Sequence, residues 1–174
     1  MIDPKMEKAF NEQINAELHS AYLYQAMAAY FTEKNLTGCA AWMKAQAMEE
    51  MTHAGKFYDH ILTRGGHVKL TGIKEVPDAF ESPLAAFKAA YAHEQYITKR
   101  IHDLADLADE IHDHAAKPML TWFVAEQVEE EANTDALVQK LTMVNGEGNG
   151  LFMIDQELAS RAMPYLPNPA VAAQ

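Results

Sequence analysis

Residues 65–82, GGHVKLTGIKEVPDAFES, decide how this chain folds. Gly65-Gly66 is a helix stop signal, and Pro77 with a third glycine at Gly72 excludes regular structure between them. Working outward, the residues before this stretch read as a helix that runs to Arg64, with Gly55 tolerated inside it. After it, Ser82-Pro83 reads as an N-cap followed by proline at the first helical position, opening a helix to about Ile111. Further out, Lys5 to Lys34 holds neither glycine nor proline and is rich in strong helix formers. A break at Asn35-Leu36-Thr37-Gly38 separates it from the second helix. Pro118, tolerable only in a first turn, opens a fourth helix that continues to about Val144. Gly146, Gly148 and Gly150 end it, a short amphipathic helix follows from Leu151 to about Ala162, and 163–174 reads as an irregular tail. Four helices of roughly 29 residues are each ~43 Å long at 1.5 Å per residue. An eighteen-residue connection reaches ~59 Å when extended, enough to cross a bundle from end to end. The expected fold is all-α: two antiparallel hairpins joined by one long crossover, as a single domain over 1–162.

The composition sets limits on function. The chain is 49% hydrophobic and 22% charged, ordinary for a globular protein, with a net charge of −11. Such acidity repels phosphate backbones and anionic lipid, so nucleic acid and membrane surfaces are not expected partners. One cysteine, Cys39, makes no intrachain disulfide and suits a reducing compartment. The opening residues MIDPKMEKAF lack the apolar core of a signal peptide, and no apolar run approaches membrane-spanning length. The expected location is the cytoplasm.

The helices carry apolar seams spaced by alternating threes and fours, as bundle packing requires. The seams are Phe10, Ile14, Glu17, Ala21, Tyr24, Ala28, Phe31; Leu36, Cys39, Met43, Gln46, Glu50, His53, Phe57; Phe87, Tyr91, Glu94, Thr98, Ile101, Ala105, Ala108; and Leu120, Phe123, Gln127, Glu130, Thr134, Leu137, Leu141, Val144. Each is apolar at its ends and carries a carboxylate near its middle, so Glu17, Glu50, Glu94 and Glu130 meet at one depth. Buried like charges are costly. Either the seams are rotated to expose them, or they are protonated and share hydrogen bonds, or cations neutralise them. The third reading is preferred: two divalent ions bring +4 against −4, with His53 and Gln127 completing the site. Glu50 and His53 are three apart and face inward from one turn, the Glu-x-x-His element of carboxylate-bridged metal bundles. Carboxylates with one imidazole and no thiolate suit iron or manganese.

At these residues the chain resembles the bacterial non-haem ferritins, over essentially all of 4–160. The matching signature is Glu17 with Tyr24, the run Glu49-Glu50-Met51-Thr52-His53, the run His93-Glu94-Gln95, and Trp122 followed by Glu126-Gln127-Val128-Glu129-Glu130. The resemblance implies a ferritin-like bundle with a short fifth helix and a ferroxidase centre oxidising Fe(II) with O2 or peroxide. It implies one iron held by Glu17, Glu50 and His53, the other by Glu50, Glu94 and Glu130, with Gln127 as a hydrogen-bonding neighbour. It implies a hollow homo-oligomer of twenty-four subunits that stores ferric mineral. Bacterioferritins repeat Glu-x-x-His on the fourth helix, whereas this chain has Gln127-x-x-Glu130. Rubrerythrins append a four-cysteine domain that is missing here.

Several features stay open at this level. Tyr24 either bonds to a metal ligand or acts as a one-electron donor, or is a seam tyrosine with a satisfied hydroxyl. Met51 occupies the position of a haem-ligating methionine in bacterioferritins, but no haem is expected. Glu49, Glu126 and Glu129, with Glu130 shared, are read as a third, transient iron site. The acidic, histidine-rich stretch from His102 to His114 either guides ferrous ions or is a solvated helix end. His19, His60, His67 and His93 fall outside the seams, and Cys39 reads as a small core hydrophobe. Leu151, Ile154 and Leu158 form a stripe suited to packing at a symmetry axis. The competing functions are a di-metal oxidoreductase that scavenges peroxide without storing mineral, and a DNA-binding mini-ferritin that the acidity disfavours. Iron storage is the expectation.

Overall fold

Helix boundaries fall where the sequence supplies caps. The computed structural model describes residues 1–160. Helix α1 spans Pro4–Glu33, with the Asp3 carboxylate accepting from Lys5 N at 2.8 Å. Helix α3 spans Pro83–Glu110, with Ser82 Oγ accepting from Ala85 N at 3.0 Å. Helices α2 (Thr37–Thr63) and α4 (Lys117–Met143) have no side-chain cap of their own at the capping position. Theirs come from elsewhere. Asp155 accepts from Cys39 N at 2.8 Å, reaching α2 from helix α5 (Gly148–Leu158). Asp113 accepts from Ala115 N and Ala116 N ahead of α4, while Arg64 binds its carboxylate at 3.0 Å.

Helices α1 and α2 form one hairpin, α3 and α4 the other, and the segment between α2 and α3 crosses between them. Two asparagines one turn apart hold that crossover to α1. Asn11 donates to His67 O and accepts from Lys69 N, and Asn15 donates to Thr71 Oγ1 and Gly72 O. Among the described residues there is no strand, and no helix is long and apolar enough to cross a membrane.

The seams of α1, α2 and α4 lie inside along the predicted register; only their end residues Leu36 and Val144 are half-buried. That of α3 does not follow the prediction. Ala90, Ile97 and Leu104 are buried where the spacing predicts Tyr91, Thr98 and Ala105, which are half-buried. Both series average 3.5 residues per repeat and share Phe87, Glu94, Ile101 and Ala108. Burying Ile97 and Leu104 removes more apolar surface than burying Thr98 and Ala105, and that decides the phase.

The glycines also differ from their reading as breakers. Gly38 lies within α2, because a Cβ there would stand 1.7 Å from the backbone oxygen of Asp155. Gly150 lies within α5, where a Cβ would stand 2.5 Å from Val144 Cβ. Close approach of α5 to the bundle requires both. Helix α5 therefore starts at Gly148, three residues earlier than predicted, and ends at Leu158. The predicted tail 163–174 lies outside the described residues.

The core is split in two. One apolar half gathers Tyr24, Met27, Phe31, Met43, Phe87 and Leu141, covered by Ile154 and Leu158 of α5. The other gathers Phe10, Ile14, Phe57, Ile61, Ile101 and Phe123, with Phe57 and Phe123 stacked at 4.4 Å. Between them lies a buried polar band.

Candidate metal centre

The band consists of Gln13, Glu17, Gln46, Glu50, His53, Glu94, Gln127 and Glu130, none more than 3% exposed. All four helices of the bundle contribute a glutamate to it. Solvent-facing rotation of the seams is thereby excluded. Glu17, Glu50 and His53 each offer a ligand atom within 4.8 Å of the others. His53 Nδ1 lies 3.3 Å from Glu50 Oε2, while its Nε2 faces Glu126 Oε1 at 4.0 Å. The ring is wedged by Trp122 and Phe123, each 5.6 Å away between centroids. Glu94 stands outside this triplet. Its Oε1 accepts from the Tyr24 hydroxyl, and its Oε2 and backbone oxygen accept from Gln127 Nε2 at 3.3 Å.

A second acidic group adjoins the first. Glu49, Glu126 and Glu130 offer oxygens within 4.8 Å of one another, so Glu130 belongs to this group as well as to the buried band. Glu49 and Glu126 are half-buried, so the group opens toward solvent. Glu129 is exposed and falls outside the 4.8 Å group, although its charge helps raise the Glu126 carboxyl above its ordinary value.

Burial pushes the Glu17 carboxyl up from 4.5 to about 7, and the Glu94 charge adds to this. Glu50 is raised well above the ordinary range, by burial first and then by Glu94, Glu17 and Glu130. Burial likewise raises Glu94. The same burial pushes His53 down to about 4, so its imidazole is neutral at physiological pH. Neutral imidazole and carboxylates that hold protons only for want of a partner are a ligand set for hard cations. Glu17 Oε2 is buried with no hydrogen-bond partner, the condition of an oxygen shaped for a metal.

The other candidates resolve individually. His93 is half-buried behind the band, where it hydrogen-bonds Ser20 Oγ at 2.7 Å and sits edge-on to Tyr24. Four of the five carboxylates in the histidine-rich stretch are in ion pairs. Asp103 pairs with Lys99, Asp109 with Lys117, Glu110 with Lys5 and Asp113 with Arg64. Cys39 is buried, its thiol pushed up by burial and by Asp155. Met51 is exposed beside Tyr22 and Ile73 in a shallow apolar groove.

Sequence reasoning missed the donors that hold the carboxylates. Gln13 Nε2 donates to Glu17 Oε1 at 2.8 Å, and Gln46 Nε2 to Glu130 Oε2 at 2.7 Å. Gln46 was legible as a polar residue in a seam. Gln13 was not, because it flanks the α1 seam and is enclosed by α3, from which Arg100 Nε donates to its Oε1 at 2.8 Å.

Known proteins share this arrangement of helices. A family model for the ferritin-like domain matches residues 7–144. The bacterial non-heme ferritin of Bacteroides fragilis is 40% identical over 161 residues, covering 92% of this chain and all of that one. That of Staphylococcus saprophyticus is 38% identical over 162 residues, covering 93% and 97%. An engineered closed form of the Archaeoglobus fulgidus ferritin superposes with a TM-score of 0.92 at 46% identity, over 94% of this chain and all of that chain. An open-pore ferritin of the same archaeon superposes at 0.91, also at 46% identity, over 93% of this chain and 100% of that chain. A ligand-rich polar band across a four-helix core, in a chain of which these relatives match more than nine-tenths, leads to one conclusion: the chain belongs to the ferritin family, among the bacterial non-haem ferritins.

Proposed function

We propose that this iron-storage ferritin oxidises Fe(II) at the buried band and deposits the ferric product inside a shell of twenty-four copies. Glu17, Glu50 and His53 bind one ferrous ion, Glu50, Glu94 and Glu130 the other, with Glu50 shared. The observation that carries this reading is the placement of four glutamates and one neutral imidazole between two apolar half-cores. Two ferrous ions cancel the four buried charges and displace the protons those carboxyls otherwise hold.

Anionic oxygen ligands favour Fe(III) over Fe(II), and two adjacent irons release two electrons together. With O2 as oxidant, two Fe(II) become two Fe(III) while O2 takes two electrons and two protons to give peroxide. Tyr24 and Gln127 both donate to Glu94, which fixes that ligand and leaves the bridging carboxylate of Glu50 freer to follow the change in charge. Glu49, Glu126 and Glu130, with Glu129 at their margin, form a third, transient site that takes oxidised iron out of the pair; sharing Glu130 gives a direct hand-over. No haem is needed for this chemistry. On this reading the protein works in a reducing cytoplasm, where its single buried thiol stays reduced.

The test is size-exclusion chromatography followed by aerobic Fe(II) loading. A particle of twenty-four subunits retaining many irons per subunit is expected. A monomer or dimer that retains only two irons would remove the storage function and favour a peroxide-scavenging oxidoreductase.

A further inference from the structure

Three buried glutamines touch the band, and each donates to a different glutamate. Gln13 on α1 donates to Glu17 Oε1, Gln46 on α2 to Glu130 Oε2, and Gln127 on α4 to Glu94 Oε2. Among the described residues no amide side chain donates to Glu50, which instead faces His53 and Glu17. Two of the glutamines are held in one sense only. Arg100 has donors alone to offer Gln13, so Gln13 must present its NH2 to Glu17. Glu130, when ionised, has acceptors alone to offer Gln46, so Gln46 must present its NH2 to Glu130. At Glu17 the donated hydrogen bond occupies Oε1 and leaves Oε2 for metal, whereas Glu94 is held on both oxygens, by Gln127 and by the Tyr24 hydroxyl. The buried oxygens left without any partner fit this pattern. They are Glu17 Oε2, the second oxygen of a held carboxylate, and Gln46 Oε1, beside Glu130.

We propose that Gln13 and Gln46 are positioning residues, each governing one of the two iron positions. Gln13 fixes Glu17 for the first ion and Gln46 fixes Glu130 for the second, while Glu50, to which no amide donates, is the carboxylate left to bridge. Gln46 carries an additional consequence. By holding the carboxylate shared with the Glu49–Glu126 group, it sets how readily Glu130 turns from the ion pair toward that group.

The proposal rests on the two-iron reading above, and the experiment separates the two. Anaerobic Fe(II) titration of the assembled protein by calorimetry resolves the two affinities per subunit. Gln46→Met keeps the bulk and removes the donor; it should weaken the second ion at least tenfold with the first unchanged. Gln13→Met should do the reverse. A packing defect alone would lower both affinities together or neither. If both variants bind two ions with unaltered constants, or each weakens both ions equally, the assignment is overturned. If the parent protein binds no pair of ions, or Glu50→Ala binds them as tightly as the parent, it is the two-iron reading that fails. Should Gln46→Met not assemble, Gln46→Asn keeps the amide one methylene short of Glu130 and must show the same selective loss of the second ion.

Discussion

Raising the pH of metal-free protein from 6.5 to 8.5 should destabilise it, and Glu50→Gln should reduce that loss. Glu17 titrates at about 7 in the fold against 4.5 when exposed, because burial and neighbouring carboxylates penalise its charge. The folded state therefore binds more protons than the unfolded state. Its stabilising contribution is complete below pH 4.5 and is lost as pH rises through about 7. Glu50, raised well above the ordinary range, behaves the same way at higher pH. Buried His53 and His93, both pushed down to about 4, act oppositely: their contribution is present above 6.5 and lost as pH falls toward 4. An exposed imidazole is still half protonated at pH 6.5, so the histidines offset part of the carboxylate loss up to about pH 7.5, and the fall above that is the carboxylates' own. From pH 6.5 to 8.5, Glu17 loses about 1 kcal/mol, and Glu50 adds to the loss in the same direction. The assay is thermal melting followed by circular dichroism in chelator, for the parent and Glu50→Gln side by side. Saturating Zn(II) should abolish the alkaline loss in the parent, since metal takes the place of the protons. Parallel Tm-against-pH curves for parent and variant would refute the reasoning.

Four further outcomes follow from the geometry. Asp155→Ala removes a buried carboxylate cap from α2 and should cost about 1–3 kcal/mol, with faster amide exchange at Cys39. Gly38→Ala should loosen α5 by driving a methyl into the Asp155 backbone; unchanged Tm in both would remove α5 from the stability account. Replacing Glu49, Glu126 and Glu129 together by Gln should leave the first two irons oxidised at the parental rate but slow later turnovers; unchanged multi-turnover kinetics would leave only a hydrated acidic face. Phe123→Ala, which breaks the stack on Phe57 beneath His53, should cost about 3–5 kcal/mol in a chelator melt.

Much of this architecture was legible because bundle seams are one-dimensional signals. Glu17, Glu50, Glu94 and Glu130 each interrupt an apolar repeat, and their equal depth follows from counting residues along helices of similar length. The α3 phase was not legible from spacing alone, since the two series share every second member; the size of Ile97 and Leu104 distinguishes them. Gly38 and Gly150 misled because a glycine demanded by close approach in space looks the same in sequence as one that ends a helix. Gln13, Asp155 and the Asn11–Asn15 clamp were invisible for a related reason. Their partners lie 87, 116 and roughly 57 residues away, and only the folded chain brings them together.

The most direct test is stopped-flow oxidation of two Fe(II) per subunit by O2, comparing the parent with Glu50→Ala. The buried band predicts rapid oxidation in the parent and loss of that phase in the variant, whose shell still assembles because removing a crowded charge does not harm the apo fold. Rapid oxidation by assembled Glu50→Ala at the parental rate would contradict the account and move the iron chemistry elsewhere in the molecule.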